Sequence, residues 1–356
     1  MSVGLPPPVL QSLRSGTVIP AMPLALNAHR RLDERRQRAL CRYYADSGAG
    51  GLAVGVHTTQ FAIRSPEHAL FRDVLALAAE ELTRADERLS RPLIRIGGIC
   101  GRTPQALDEA HTLVKLGYHA GLLSLASLAA DNDEVRLDHC RAVGEVIPLV
   151  GFYLQSAVGG PPLSFRFWRQ FVELEAVVAI KVAPFNRYQT LDVVRALAES
   201  RRHDIALYTG NDDNIILDLL TPYRFSEDSS RPERRFVGGL LGHWSVWTRR
   251  AVEHLAACKA ATQRTEGIPP DLIRLANQVT DANAAFFDAA HGFAGCIAGL
   301  HEVLRRQGLL EGIWCLDREE TLSPGQSEEI DRVYRAYPHL NDDAFVAEHR
   351  EAWLSG

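Results

Sequence analysis

The chain has 356 residues, 46% of them hydrophobic and 23% charged, the balance of a folded globular protein and not of a disordered polymer. Lys and Arg number 39 against 44 Asp and Glu, a formal net charge of -5 with the two signs interleaved, so no basic stripe offers itself to nucleic acid. No apolar run approaches the roughly 20 residues of a membrane span, and prolines in MSVGLPPPVLQSLRSG stand where a signal peptide needs its apolar stretch. A cytoplasmic protein with no nucleic-acid and no membrane partner is expected.

Short apolar runs recur along the first two thirds of the chain, at residues 16–21, 51–56, 93–99, 120–125, 147–153, 177–182, 205–208 and 236–241. Amphipathic stretches separate them, the pattern of successive βα units around a parallel sheet. Between the first two, Asp33 opens a helical stretch, ERRQRALCRYYAD, and the glycines that follow supply its stop. Eight units in about 250 residues match a (β/α)8 TIM barrel, an α/β fold whose catalytic groups gather at the C-terminal ends of the strands. A doubly wound open sheet is the alternative, but no Gly-x-Gly-x-x-Gly follows the first strand to open a helix, which leaves a dinucleotide site without support. The polar segment at residues 224–235 is expected at the opposite, N-terminal face, as a loop without chemistry. Beyond residue 262 the strand pattern stops and helical periodicity takes over. The expected organisation is a barrel over residues 1–262 and a C-terminal helical subdomain over residues 263–356.

Six scattered cysteines, at 41, 100, 140, 258, 296 and 315, show neither zinc-ligand spacing nor a compact disulfide framework. Reduced thiols, no metal and no cofactor are expected.

Lysine is rare. Only Lys115, Lys181 and Lys259 occur, and Lys181 lies inside the apolar run AVVAIKV at the end of the sixth strand. A desolvated amine loses its proton more readily than one in water, so this position suits an imine-forming nucleophile; a strand-end lysine that extends its ammonium to solvent is the competing reading. Tyr153 ends the fifth strand, 28 residues earlier, and adjacent strands would bring its phenol near the amine as a proton carrier, the alternative being a packed tyrosine with a satisfied hydroxyl. The second strand runs into His57-Thr58-Thr59, two hydroxyls and consecutive backbone N–H groups that can hold a carboxylate, unless the pair is only a turn. His57 and His243 close strands two and eight, where either could touch a ligand or be an ordinary loop histidine.

Taken together these segments resemble the dihydrodipicolinate synthase and N-acetylneuraminate lyase family of class I aldolases, in register from about residue 16 to residue 338. The anchors are HTTQF at 57–61, GFY ending at Tyr153, AIK ending at Lys181, TGNDD at 209–213 and the C-terminal helices. The resemblance implies an imine between Lys181 and the keto carbon of pyruvate or another 2-oxo acid, with an aldehyde as second partner and no cofactor. It casts Tyr153 as proton relay, Thr59 as support for the tyrosine hydroxyl, Thr58 as a carboxylate ligand, and Gly210, Asp212 and Asp213 as the groups facing the variable end of the substrate. A homo-oligomer, tetramer or dimer, comes with it.

Departures narrow the substrate. Gln60-Phe61 replaces the family's Gly-Glu, Val158 stands where the lysine-pathway synthases have an arginine, and residues 124–130, SLASLAA, lack their aromatic pair. Lysine biosynthesis is therefore disfavoured. Aldol cleavage or condensation leads, a hydratase-aldolase or dehydratase of a 2-oxo acid uses the same imine, and a barrel that only binds ligand remains as the non-enzymatic alternative.

Overall fold

Eight short parallel strands form the frame: β1 (Val18–Pro20), β2 (Gly51–Val54), β3 (Ile94–Ile99), β4 (Ala120–Leu123), β5 (Leu149–Leu154), β6 (Val177–Ala183), β7 (Ala206–Thr209) and β8 (Phe236–Leu241). Each pairs with its sequence neighbour, β8 pairs with β1, and a parallel bridge between Ala21 and Ala53 joins β1 to β2, closing the ring. The computed structural model describes residues 4–227, 233–264 and 267–356. The (β/α)8 barrel expected from the sequence is the one observed, and every strand lies within or beside its expected run. Residues 228–232 of the polar loop before β8 lie outside the described residues.

Helix α1 (Pro7–Ser15) precedes β1 and seals the barrel floor. Its Val9 and Leu13 belong to the interior core with Ile19, Ile96, Leu122 and Val150, and the Tyr208 hydroxyl donates to the Leu13 carbonyl at 2.9 Å. The outer layer follows as α2 (Glu34–Asp46), α3 (Phe71–Leu89), α4 (Thr103–Lys115), α5 (Asp133–Gly144), α6 (Phe165–Phe171), α7 (Arg187–Ala198), α8 (Ile215–Leu220) and α9 (Thr248–Thr262). Several starts are fixed by side chains that accept an otherwise orphaned backbone N–H: Asp33 from Arg36, Asn132 from Val135, Ser164 from Phe167 and Asn186 from Gln189.

The strands read as continuous apolar runs because both of their faces are buried, one toward the barrel axis and one toward the helices. Side chains still alternate, so β5 sends Val150, Phe152 and Leu154 inward and Leu149 and Tyr153 into the outer core. Beyond α9 come α10 (Pro270–Phe286), α11 (Cys296–Arg306), α12 (Gln326–Ala336) and α13 (Asp343–Ser355). Their apolar faces, including Phe286, Leu300, Ile330 and Trp353, share one core cluster with the outer face of the barrel. No helix among the described residues is long and apolar enough to cross a membrane.

Candidate active site at the barrel mouth

Lys181 lies near the C-terminal end of β6, directly across from Phe152 of β5 and Tyr208 of β7. Only 7% exposed, it opens into a cavity of about 40 Å³ lined by residues from six strand ends, with Phe287 at the end of α10 and Cys296 at the start of α11. Its ammonium nitrogen sits 4.6 Å from the centre of the Phe152 ring and forms no hydrogen bond or ion pair among the described residues. Burial pushes the amine well below the ordinary lysine pKa, partly offset by the charge of Asp212. Room for the side chain is made by Gly210: a β-carbon there would fall 2.7 Å from Lys181 Cε and 2.7 Å from Ala183 Cβ.

Asp212 faces the same cavity at 5% exposure. The turn that carries it is locked by its neighbours. Asn211 accepts from the Phe185 N–H at 3.1 Å and donates to Asp218 and Thr190, while buried Asp218 also takes bonds from Thr209, Asn214, Tyr223 and Arg187. With Asn211 turned into this network, Asp212 is aimed the other way, and its Oδ1 accepts from the His243 backbone N–H at 2.7 Å. Desolvation raises its carboxyl well above the carboxylate range, against the opposing pull of that N–H and of Lys181.

The remaining wall is mostly apolar. Val56, Phe152, Leu154, Val158, Phe185, Phe287 and Cys296 contribute, with His57, Thr58 and Gln155 as the other polar groups. The His57 ring is held to a pKa of about 4 by burial and by the nearby amine, so it is neutral at pH 7. Thr58 lines the cavity but donates its hydroxyl to the Ala21 carbonyl at 2.8 Å.

Of the residues singled out in the sequence, Lys181, His57, Thr58, Gly210 and Asp212 meet at this cavity. Four do not. Tyr153 points outward, since the register that sets Phe152 against Lys181 turns the next residue to the other face of β5. Its hydroxyl donates to the Leu163 carbonyl at 3.2 Å and accepts from the Leu163 N–H at 3.1 Å, and its ring packs on Trp168. The place expected for the phenol is filled by Phe152. Thr59 is fully buried, donating to the Met22 carbonyl at 2.6 Å and accepting from the Gly55 and Val56 N–H groups; with its hydroxyl spent inside the turn, it cannot support a relay. His243 contributes its backbone N–H, while its ring stacks on Phe286 and meets Asn283. Asp213 turns away toward Arg187, and its Oδ1 is buried without a hydrogen bond.

Phe152, Phe185, Phe287 and Cys296 were not anticipated. Phe185 and Phe152 sit beside the anchor segments, but only the pairing of β5 with β6 shows that Phe152, and not Tyr153, faces Lys181. Nothing in the local sequence marks Phe287 or Cys296, which reach the cavity only because the C-terminal helices fold over the barrel mouth.

No family model matches the chain, and no curated protein matches its sequence. Solved structures do match. The N-acetylneuraminate lyase of Fusobacterium nucleatum in complex with pyruvate is 15% identical, with a TM-score of 0.67 over 91% of this chain and 97% of that one. The dihydrodipicolinate synthase of Oceanobacillus iheyensis is 15% identical, with a TM-score of 0.71 over 90% and 96%. The dihydrodipicolinate synthase of Cyanidioschyzon merolae with lysine bound is 16% identical, with a TM-score of 0.71 over 91% and 98%. This chain has their fold. At such identity the likeness extends to the barrel and its C-terminal helices; what the cavity does has to be argued from its own residues.

Proposed function

We propose that the protein is a class I lyase or aldolase, a divergent member of the dihydrodipicolinate synthase and N-acetylneuraminate lyase family, in which Lys181 forms an imine with pyruvate or another 2-oxo acid. The observation that carries this reading is the state of Lys181: a buried amine at the mouth end of a barrel strand, without an ion pair, its proton affinity lowered by desolvation. An amine used only to bind an anion gains nothing from that lowering, whereas a nucleophile must be neutral to attack. The fold shared with enzymes of this family adds weight by analogy.

The wall composition points to the partner. No arginine among the described residues lines the cavity, and Val158, Phe185 and Phe287 offer an apolar surface where a second carboxylate would be left unpaired. The reading is therefore a 2-oxo acid joined to, or cleaved from, an aldehyde with a neutral or apolar body, and not lysine biosynthesis. The six unpaired thiols support a reducing, cytoplasmic setting.

Incubation with pyruvate followed by borohydride reduction, read by peptide mass spectrometry, tests the proposal. A stable adduct on Lys181, absent in Lys181→Arg, is expected. Failure to trap any member of a panel of 2-oxo acids would favour the second reading, a barrel that binds ligand without turnover, to which Phe152 in place of a phenol beside the amine lends specific support.

A further inference from the structure

With Phe152 against the amine, imine chemistry at this cavity lacks the phenol that would move its protons. We infer that Asp212 is the catalytic acid and base of the Lys181 reaction, an inference that rests on the imine reading above.

The geometry singles out this carboxyl. Lys181 and Asp212 open into one small cavity from adjacent strand ends, and no ion pair joins them among the described residues, which leaves both groups facing the cavity. The carboxyl is held by one oxygen only: Oδ1 accepts from the His243 N–H, and Oδ2 has no hydrogen-bond partner among the described residues. An acid–base group needs this arrangement, a fixed orientation with one oxygen free toward the substrate. The other titratable groups on the wall serve less well. The His57 ring holds a proton only below about pH 4, and the Cys296 thiol is pushed far up by burial among acidic neighbours. Burial of Asp212 moves its carboxyl up toward neutrality, where a group can both give and take a proton.

The proton count closes around one carboxyl. Neutral Lys181 attacks the keto carbon of pyruvate; the C–N bond forms, the carbonyl π electrons move to oxygen, and the nitrogen's surplus proton passes to that oxygen to give a carbinolamine. The protonated Asp212 then gives its proton to the departing hydroxyl, the C–O bond breaks, and water, a protonated imine and an aspartate carboxylate remain. That carboxylate removes a proton from the adjacent methyl carbon, the C–H electrons form the enamine C=C bond, and the imine nitrogen recovers its electron pair. Asp212 ends protonated, ready to give its proton to the oxygen of an incoming aldehyde as the enamine attacks.

The test follows methyl hydrogen exchange of pyruvate in D2O by proton NMR, beside borohydride trapping on the same samples. Wild-type protein should trap pyruvate on Lys181 and exchange its methyl hydrogens. Asp212→Asn, near-isosteric and still able to accept the His243 N–H, should reach the wild-type extent of trapping after prolonged incubation but exchange at least about 100-fold more slowly, the upper part of the range for one acid–base group. Asp212→Glu should recover part of that loss. If Asn at this position prevents folding, judged by circular dichroism, Asp212→Ser replaces it with the same expectation. Exchange at the wild-type rate in a trapped variant overturns the role of Asp212 and leaves the imine reading intact. So does a folded variant that forms no adduct, which would make Asp212 a binding group, or wild-type protein that traps pyruvate without exchange. Wild-type protein that traps nothing overturns the imine reading and this inference with it.

Discussion

Gly210 shows how much of the site depends on one missing β-carbon. Its N–H donates to the Val182 carbonyl at 2.7 Å, pinning the exit of β7 against β6 beside the lysine stem. In Gly210→Ala the new methyl would overlap Lys181 Cε and Ala183 Cβ, and the lysine stem yields more easily than the strand. We expect a folded protein whose trapping by pyruvate and borohydride is slowed by about 10²-fold, the cost of misplacing a reacting group by roughly 1 Å. A trapping rate equal to wild type would mean that the amine does not need its present position. His301 offers a second test at this scale, through pH. Fully buried in α11, its Nδ1 lies 3.4 Å from the Ile313 carbonyl, its Nε2 has no hydrogen-bond partner among the described residues, and burial lowers its pKa to about 4. An unfolded histidine titrates near 6.5, so between pH 6.5 and 4 the unfolded chain binds a proton that the native ring refuses, and stability falls as pH falls. The shift corresponds to on the order of 3 kcal/mol. Thermal melts of His301→Leu should therefore show a shallower loss of Tm from pH 6.5 to 4 than wild type, and parallel slopes would count against a buried neutral ring.

At the scale of elements, the turn after β2 that carries His57 and Thr58 is braced from behind by a buried ion pair. Arg64 donates Nε to both Glu109 oxygens, at 3.0 and 3.1 Å, and Nη2 to the Gly55 and Gly98 carbonyls at 2.9 Å each, tying the ends of β2 and β3 to α4. Glu109 also accepts from the Cys100 N–H and from Gln105. Removing one partner of such a pair strands the other charge, so Glu109→Ala should cost about 3–5 kcal/mol in chemical denaturation. A loss under about 1 kcal/mol would place the pair with ordinary surface bridges. Elements were also where the sequence spoke most clearly. Eight apolar runs at βα spacing carry the barrel, because a strand buried on both faces must be apolar throughout. The same property hid the parity of β5. Phe152 and Tyr153 are both large and aromatic, so nothing local says which faces the axis, and only pairing with β6 decides that Phe152 meets Lys181. Lys181 was legible because a lysine in an apolar run is an uncommon choice, whereas Gly210 and Asp212 came only from the resemblance carried by the TGNDD segment. The sequence did not show that backbone acceptors at Ala21 and Met22, nearly forty residues away in the chain, take the hydroxyl protons of Thr58 and Thr59.

For the molecule as a whole, the helices after residue 262 complete the mouth of the barrel and are tied to its outer layer. Phe287 and Cys296 line the cavity, the Trp353 indole donates to Asp46 at 2.7 Å, and Arg42 of α2 donates to the Trp353 carbonyl at 2.6 Å. The main tie is Asp342, just before α13 and 3% exposed. Its Oδ2 accepts from the Tyr43 hydroxyl of α2 at 2.8 Å and the Arg249 N–H of α9 at 3.0 Å, and its Oδ1 accepts from the Gln307 amide at 2.8 Å. One carboxylate thus joins two barrel helices to the end of α11, and the Tyr43 hydroxyl in turn accepts from the Thr248 N–H. Sequence periodicity alone divides the chain at residue 262, but shared apolar packing and this junction predict that both parts unfold together. Far-UV circular dichroism, weighted over all helices, and tryptophan fluorescence, with Trp168, Trp244 and Trp247 in the barrel and Trp314 and Trp353 beyond it, should trace coincident denaturation curves. Asp342→Ala leaves the Tyr43 hydroxyl and the Arg249 N–H without their acceptor, at about 1–3 kcal/mol for each that water does not reach, while the Gln307 amide keeps Asp343 at 2.9 Å. Its midpoint should fall by an amount equivalent to at least about 2 kcal/mol while the two curves still coincide. Separated curves in the variant would mean that Asp342 is the fastening between two independently stable parts, and separated curves in wild type would mean that the shared core does not couple them.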